Sequence, residues 1–156
     1  MGQVAEQHVT QRLWEEVQVD EKLPRLTMPI TYKKVILNAA ATWDYFPGHH
    51  NPEYAREQGQ ETIYISTLFF QGFIDRVITD WAGPRAFVVK RKLSMQHSIF
   101  AGDTMYGEGK VLKSYIDDQN RHLVDIEIMI SSQNGPCAPA TATVMLPTSM
   151  VASIHR

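Results

Sequence analysis

The chain has 156 residues, 44% hydrophobic and 21% charged, values that are ordinary for one globular domain. Its 15 basic and 17 acidic residues leave a formal net charge of −2, which gives no indication of nucleic acid as a partner. One cysteine, Cys137, excludes an internal disulfide and fits a reducing compartment. The polar, acidic start is unlike a signal peptide and no segment is apolar enough to span a membrane, so we expect a cytoplasmic protein with no membrane association.

The first third of the chain combines helix signals with one short strand. Residues 3–16 have apolar positions that permit a short amphipathic helix. Residues 26–30 alternate as a strand does, and Thr31 is placed to cap a helix from Tyr32 to about Trp43. Residues 51–59 begin with the Asn, Pro and Glu typical of a helix start and end at a glycine, which predicts a second helix.

The segment Asp44-Tyr45-Phe46-Pro47-Gly48-His49 lies between these two helices. Pro47 and Gly48 prevent the preceding helix from continuing, so Asp44 and His49 lie on a tight loop. Such a loop can turn a carboxylate and an imidazole toward one point, where the pair would bind a water molecule and move its proton. These residue types also suit plain turn or surface roles, and His50 is an alternative partner for Asp44.

Residues 65–82 predict a long helix that is buried over most of its surface. Apolar side chains recur every fourth position and others widen the stripe. Ser66 or Thr67 is placed to cap the helix, and Gly83 ends it. Core packing alone explains the aromatic positions, but four of them are also candidates for lining a substrate groove: Phe69, Phe70, Phe73 and Trp81.

The rest of the chain predicts strands. Turn signals at residues 101–103, 117–120 and 134–136 separate them, and glycines 107 and 109 suggest a bulge or bend. One strand and the helices therefore precede four consecutive hairpin-linked strands. An antiparallel sheet wrapped around the buried helix is the natural packing solution, which predicts an α+β fold.

Three segments of the sequence resemble a known protein family. Residues 40–55, which include the Asp44–His49 loop, resemble the hydratase motif of MaoC-like (R)-specific enoyl-CoA hydratases. Residues 99–104 are similar to the family's strand-end segment after the central helix. Residues 79–84 with His49-His50 resemble most the small subunits of bacterial steroid side-chain enoyl-CoA hydratases. The resemblance extends over about residues 20–147 and implies one hot-dog domain within 1–156, in which a sheet wraps a central helix.

The resemblance implies a reaction in lipid metabolism, such as steroid degradation: addition of water to a trans-2-enoyl-CoA thioester, or the reverse dehydration. Asp44 and His49 would hold the water and handle its protons, with either residue as the base. No metal or redox cofactor would be needed, because CoA is part of the substrate. Many members start the central helix with His-Gly and use the Gly amide to bind the thioester oxygen. This chain has Ile65-Ser66-Thr67 in that area, so we expect the backbone amide of Ser66 or Thr67 to take the role.

The resemblance also concerns partners. Hot-dog proteins pair their sheets edge to edge, which implies a homodimer or a dimer of dimers, or a heteromer with a second MaoC-like chain. An acyl-CoA-binding or structural subunit is an alternative to the active enzyme, and a thioesterase is a weaker one because that chemistry usually lacks this Asp–His loop. Lys90, Arg91 and Lys92 are candidates to bind CoA phosphates, although a solvated strand face explains them more simply.

Overall fold

The structure of the protein, a computed structural model, describes residues 10–152. The helices and strands follow the predicted order: β1 (Leu26–Pro29), α1 (Tyr32–Thr42), α2 (Pro52–Glu57), α3 (Thr67–Ala82), β2 (Phe87–Leu93), β3 (Thr104–Ile116), β4 (His122–Ser132), β5 (Gly135–Met145) and α4 (Ser149–Ala152). Short 3₁₀ turns form at Trp14–Glu16 and Pro47–His49. No helix within the described residues is both long and apolar enough to cross a membrane.

The helix predicted over residues 3–16 is wrong for its second half, and residues 3–9 lie outside the described part of the chain. Between residues 10 and 16 the structure has only the 3₁₀ turn. The backbone here bonds to distant elements instead of to itself: the Arg12 amide donates to Ala82 O and the Trp14 amide to Pro147 O. These long-range hydrogen bonds satisfy the donors that a helix would have used.

Residues 10–152 form one antiparallel sheet of five strands in the order β1-β3-β4-β5-β2. Hairpins link β3 to β4 and β4 to β5, as predicted. The predicted hairpin between β2 and β3 is wrong, because β2 pairs with β5 and β3 pairs with β1 at the other edge. Residues 94–103 therefore cross between the two edges, and their backbone bonds to Cys137 O at one end and Ile30 O at the other.

Helix α3 fills the concave side of the sheet. Its buried side chains pack against the inward faces of β3, β4 and β5, which forms the hydrophobic core. Gly107 marks the closest approach, since a Cβ there would overlap Val77 and lie 2.8 Å from Phe73. The bulge expected at the glycines is wrong in position: the register of β3 shifts between Val111 and Lys113. Gly107 permits helix–sheet packing, which is a different reason for a glycine inside a strand.

The ends of the helices agree with the sequence signals. The side chain of Thr31 accepts from the Lys34 amide at the start of α1, and Asn51 accepts from two amides at the start of α2. Ser66 accepts from the Phe69 amide at the start of α3. Each oxygen satisfies a donor that the first helical turn leaves without an intrahelical partner.

Candidate active site

The loop between α1 and α2 brings a carboxylate and an imidazole together. Helix α1 ends where Trp43 adopts a left-handed conformation, with φ 57° and ψ 24°. The next amide, that of Asp44, donates to Ala39 O, and the 3₁₀ turn Pro47–His49 folds the chain back. Asp44 Oδ2 then lies 3.6 Å from His49 Nε2. The separation suits two groups that share a water molecule better than a direct hydrogen bond.

Contacts of the His49 ring define which nitrogen faces the carboxylate. Nδ1 lies 2.7 Å from the carbonyl oxygen of Tyr64, which accepts hydrogen bonds only, so Nδ1 carries the proton. A neutral His49 therefore presents the lone pair of Nε2 toward Asp44. The imidazole is buried, with 9% of its side chain exposed, whereas 32% of the Asp44 side chain is exposed. His50 is exposed and its Nε2 donates to Tyr45 O, so His50 is occupied elsewhere.

Aromatic side chains hold the imidazole in place. The ring of His49 meets Phe46 edge-on at 5.5 Å and Tyr64 at 5.2 Å. Gly48 allows this packing, because a Cβ there would lie 2.6 Å from Tyr64 Oη. Burial raises the pKa of the Tyr64 phenol, and the nearby Tyr54 raises it further, so the phenol stays uncharged near neutral pH. Uncharged aromatic rings therefore pack against the His49 imidazole and fix its position.

A cavity of about 300 Å³ opens beside His49. Its walls come from the Asp44–His49 loop, the start of α3 with the residues before it, and the crossing segment after β2: Phe46, His49, Tyr64, Ile65, Thr67, Phe70, Met95, Gln96, His97 and Ser98. Of the aromatic candidates, Phe70 lines this cavity, Phe73 and Trp81 are buried in the core, and Phe69 packs at the core's margin. The sequence does not predict residues 95–98 as part of the site, because Met95 continues an alternating pattern that predicts a strand joined to the next one by a hairpin. A crossing connection can be recognised only once the strand pairing is known.

The two candidate donors at the start of α3 have different positions. Ser66 is buried; its hydroxyl donates to Asn38 Oδ1 at 2.9 Å and accepts from the Phe69 amide. Thr67 is the first residue of the helix and reaches the cavity wall. Helical geometry gives an amide at this position no partner within the helix, and the dipole makes this end electropositive. The arrangement can stabilise negative charge on an oxygen in the cavity.

The basic run on β2 lies away from this cavity. None of its three residues lines the cavity in the part of the chain that the structure describes. Arg91 turns toward α3, where it forms an ion pair with Asp75 at 3.2 Å and a hydrogen bond with Gln71. Lys92 points to the other face and lines a larger, open groove across the outside of the sheet, and Lys90 is exposed. The alternation expected for Lys90, Arg91 and Lys92 is present, and the phosphate-binding role stays a prediction.

No group of three His, Cys, Asp or Glu side chains within residues 10–152 is arranged to hold a metal ion. The larger groove on the outer face, about 950 Å³, is lined by Lys, Arg and Glu side chains mixed with apolar residues such as Leu23, Ile128 and Met129, and no histidine lines it. His49 lines the smaller cavity, and Asp44 Oδ2 lies 3.6 Å from its Nε2. We therefore place the candidate active site there, because only that site combines a positioned imidazole with helix-end amides among the described residues.

No family model matches the chain. Over 89 residues it is 33% identical to the beta subunit of 3-oxo-4,17-pregnadiene-20-carboxyl-CoA hydratase from Mycobacterium tuberculosis, a region that is 57% of this chain and 69% of that subunit. The chain belongs to the MaoC-like hydratase family. This MaoC-like chain also superposes on one chain of the ChsH1–ChsH2 complex from M. tuberculosis with a TM-score of 0.75 and 27% identity, covering 83% of this chain and 98% of the other.

The fold of this MaoC-like chain is shared more widely. The (R)-hydratase of A. caviae, involved in PHA biosynthesis, superposes with a TM-score of 0.78 at 21% identity, over 85% of this chain and 99% of the other. At that identity the likeness concerns the fold alone. The prediction of an α+β hot-dog fold is confirmed.

Proposed function

We propose that this MaoC-like chain is the catalytic subunit of an enoyl-CoA hydratase, which adds water across the C2–C3 double bond of a trans-2-enoyl-CoA or catalyses the reverse dehydration. The observation that carries the proposal is the Asp44–His49 pair, whose facing atoms lie 3.6 Å apart beside a cavity that the start of α3 also reaches. A structural subunit would need no such pair. The family membership supports the same chemistry.

In this proposal the reacting water lies between His49 and Asp44. Nε2 of His49 and Oδ2 of Asp44 are both acceptors, so one water molecule donates a hydrogen bond to each. Its oxygen lone pairs are then free to attack C3. A proton accepted at Nε2 gives an imidazolium that the Asp44 carboxylate and the Tyr64 carbonyl both stabilise. The residue that accepted this proton then passes it to C2, while the other proton of the water stays on the new C3 hydroxyl, which completes the addition.

Attack at C3 moves the electrons of the double bond toward the thioester, and negative charge develops on its oxygen. The Thr67 amide, at the electropositive end of α3, is the donor that we assign to this oxygen. When the proton reaches C2, the carbonyl re-forms and the charge disappears. The helix end therefore stabilises the transition state more than the substrate, as catalysis requires.

We further propose that a second MaoC-like chain completes the site. A cavity of about 300 Å³ is at the small end of ligand sites, which span roughly 300–1,000 Å³, and an acyl-CoA is a large ligand. Support comes from the relatives, one named as a beta subunit and one solved as a complex of two different chains. The first of these relatives is named for a steroid-like acyl-CoA, so we propose a bulky acyl group of lipid degradation as the substrate.

The test is to replace each member of the pair and measure hydration. Asp44→Asn and His49→Ala should each lower turnover by about 10²–10⁴-fold, the range for loss of a positioned acid or base. His50→Ala is the matched control, because its imidazole bonds to Tyr45 O and not to Asp44. Loss of enoyl-thioester absorbance would be followed with crotonyl-CoA and longer enoyl-CoAs, with the chain alone and with a co-expressed second chain.

Circular dichroism and thermal unfolding would show that the variants remain folded. Near-normal turnover by both Asp44→Asn and His49→Ala would contradict the proposal. Activity that appears only with a second chain would support the heteromeric assembly and leave the roles of the pair unchanged.

A further inference from the structure

Ser66 and Thr67 are consecutive hydroxyl residues at the start of α3, and their hydroxyl groups differ in the hydrogen bonds that they make. The Ser66 hydroxyl is fully engaged, because it caps the helix through the Phe69 amide and donates its proton to Asn38. The Thr67 hydroxyl makes no hydrogen bond to any residue between 10 and 152. Ser66 satisfies the cap by itself, so the second hydroxyl is not needed for the helix.

The back-bond that a threonine makes inside a helix is not open to Thr67. It is the first residue of α3, so the carbonyls three and four positions earlier, those of Tyr64 and Ile63, lie before the helix and outside its geometry. Tyr64 O accepts from His49 Nδ1 at 2.7 Å, and Ile63 O accepts from the Ala101 amide at 2.9 Å. Thr67 is exposed and lines the cavity beside His49. Its hydroxyl is therefore a spare donor at the wall of the site.

We propose that the Thr67 hydroxyl is a catalytic residue that donates a second hydrogen bond to the thioester oxygen, beside the bond from its own amide. The inference rests on the proposed function. In a staggered rotamer the Oγ and N atoms of one residue lie about 3 Å apart, so both can reach one oxygen. The hydroxyl donates without giving up its proton. The oxygen thus gains a donor and no covalent bond changes.

A second donor at Thr67 would explain why this chain has no glycine at the start of the helix, where many family members have one. A glycine at the start of the helix offers an amide and open space, whereas Thr67 offers an amide, a hydroxyl and a methyl group. A second preorganised donor aimed at the developing charge lowers the barrier, because that charge is larger in the transition state than in the substrate. The side chain also narrows the cavity, which favours one approach of the thioester.

Three substitutions separate these contributions. Thr67→Val keeps the shape, the β-branch and the amide but removes the hydroxyl, Thr67→Ser keeps the hydroxyl and removes the methyl group, and Thr67→Gly keeps the amide alone. Val and Thr have similar helix propensities, so thermal unfolding should be nearly unchanged. We expect Thr67→Val to lower kcat and kcat/KM equally, by about 10–10²-fold, as loss of a transition-state contact does. Thr67→Ser should stay within about threefold of the wild type, because the donor is kept.

The result that overturns the inference is a Thr67→Val enzyme with wild-type kcat, measured where Asp44→Asn is inactive. The acid–base function would then stand and the hydroxyl would have no part in it. A Thr67→Ser enzyme as slow as Thr67→Val would also overturn it, since shape rather than hydrogen bonding would be decisive. A wild-type protein that hydrates no enoyl-CoA, alone or with a second chain, would overturn the proposed function itself and this inference with it.

Discussion

The two ends of helix α3 are built in opposite ways. At the C-terminal end, Ala82 O accepts from the Arg12 amide and from Gln11 Nε2, and Gly83 N donates to Thr79 O. Trp81 Nε1 donates to Glu21, which also binds Arg12. At the N-terminal end a single side chain, Ser66, caps the helix, and the Thr67 groups face a cavity.

The comparison teaches where a fold can leave polar groups unsatisfied. Donors without protein partners cost free energy when buried, so the end that only holds the structure together satisfies nearly all of them. The end that meets substrate keeps donors available, and a ligand oxygen can use them. Substitutions at one end should therefore affect stability, and those at the other should affect turnover.

Among these substitutions, Thr67→Pro should separate the effect on turnover from the effect on stability most clearly. Proline is well accepted at the first position of a helix, and Ser66 already has the extended conformation, φ −81° and ψ 167°, that a residue before proline prefers. The variant loses both donors, so turnover should fall by about 10²–10³-fold with little change in the unfolding midpoint.

Ser66→Gly is the neighbouring control: it keeps the backbone amide and should keep wild-type turnover, but it should lower the unfolding free energy by about 1–2 kcal/mol, because the cap and the hydrogen bond to Asn38 are both lost. Steady-state kinetics and thermal unfolding of both proteins provide the check. Full activity in Thr67→Pro would place the oxyanion donor elsewhere.

At the other end, Gly83→Ala should destabilise the protein and spare the chemistry. Gly83 has φ 88° and ψ 173°, a backbone region essentially confined to glycine, and a Cβ there would lie 2.8 Å from Gln11 Cα. Holding an alanine in this backbone conformation alone should lower the free energy of unfolding by about 1–3 kcal/mol. Urea unfolding would measure the loss, and activity per folded molecule should be unchanged. Gly72→Ala is the control, because its Cβ would meet nothing within 4 Å.

Glu21→Gln should lower the free energy of unfolding by a smaller amount, and this loss should depend on pH. Burial acts to raise the pKa of Glu21, but hydrogen bonds from Trp81, the Gln18 amide and Arg12 outweigh it, and the pKa lies below the usual 4.5. A lowered folded-state pKa adds stability above the unfolded pKa and loses it as pH falls through the folded one. Glu21→Gln should thus cost about 1–2 kcal/mol at neutral pH.

That cost should shrink as the solution is acidified, because the wild-type carboxylate then loses its charge in both states. Urea unfolding of both proteins at neutral pH and at about pH 3, below the usual range of a glutamate, would measure it. A difference that does not change with pH would mean that the side chain contributes through packing rather than charge.

Much of the fold could be predicted from residues that are close together in the sequence. The Thr31, Asn51 and Ser66 caps were predicted, because a cap depends on side chains within one turn. The periodicity of α3 predicted its burial, and Pro47-Gly48 predicted the loop that brings Asp44 to His49.

The rest depended on contacts between distant segments. Nothing local distinguishes a hairpin from the crossing made by residues 94–103, so the walls contributed by residues 95–98 were missed. Gly107 was read as a bulge because its real cause, the approach of Val77, lies on another element.

The strand order has a consequence for how the protein folds. Strands β3, β4 and β5 form a continuous meander, whereas β1 must find β3, and β2 must find β5, across long stretches of chain. Asp44, His49 and Thr67 all lie within the span that the β1–β3 pairing closes. Closure of long loops is entropically costly and slow, so the meander should form first during refolding. Recovery of turnover should then lag behind recovery of sheet structure, and activity would report the last long-range step rather than the first.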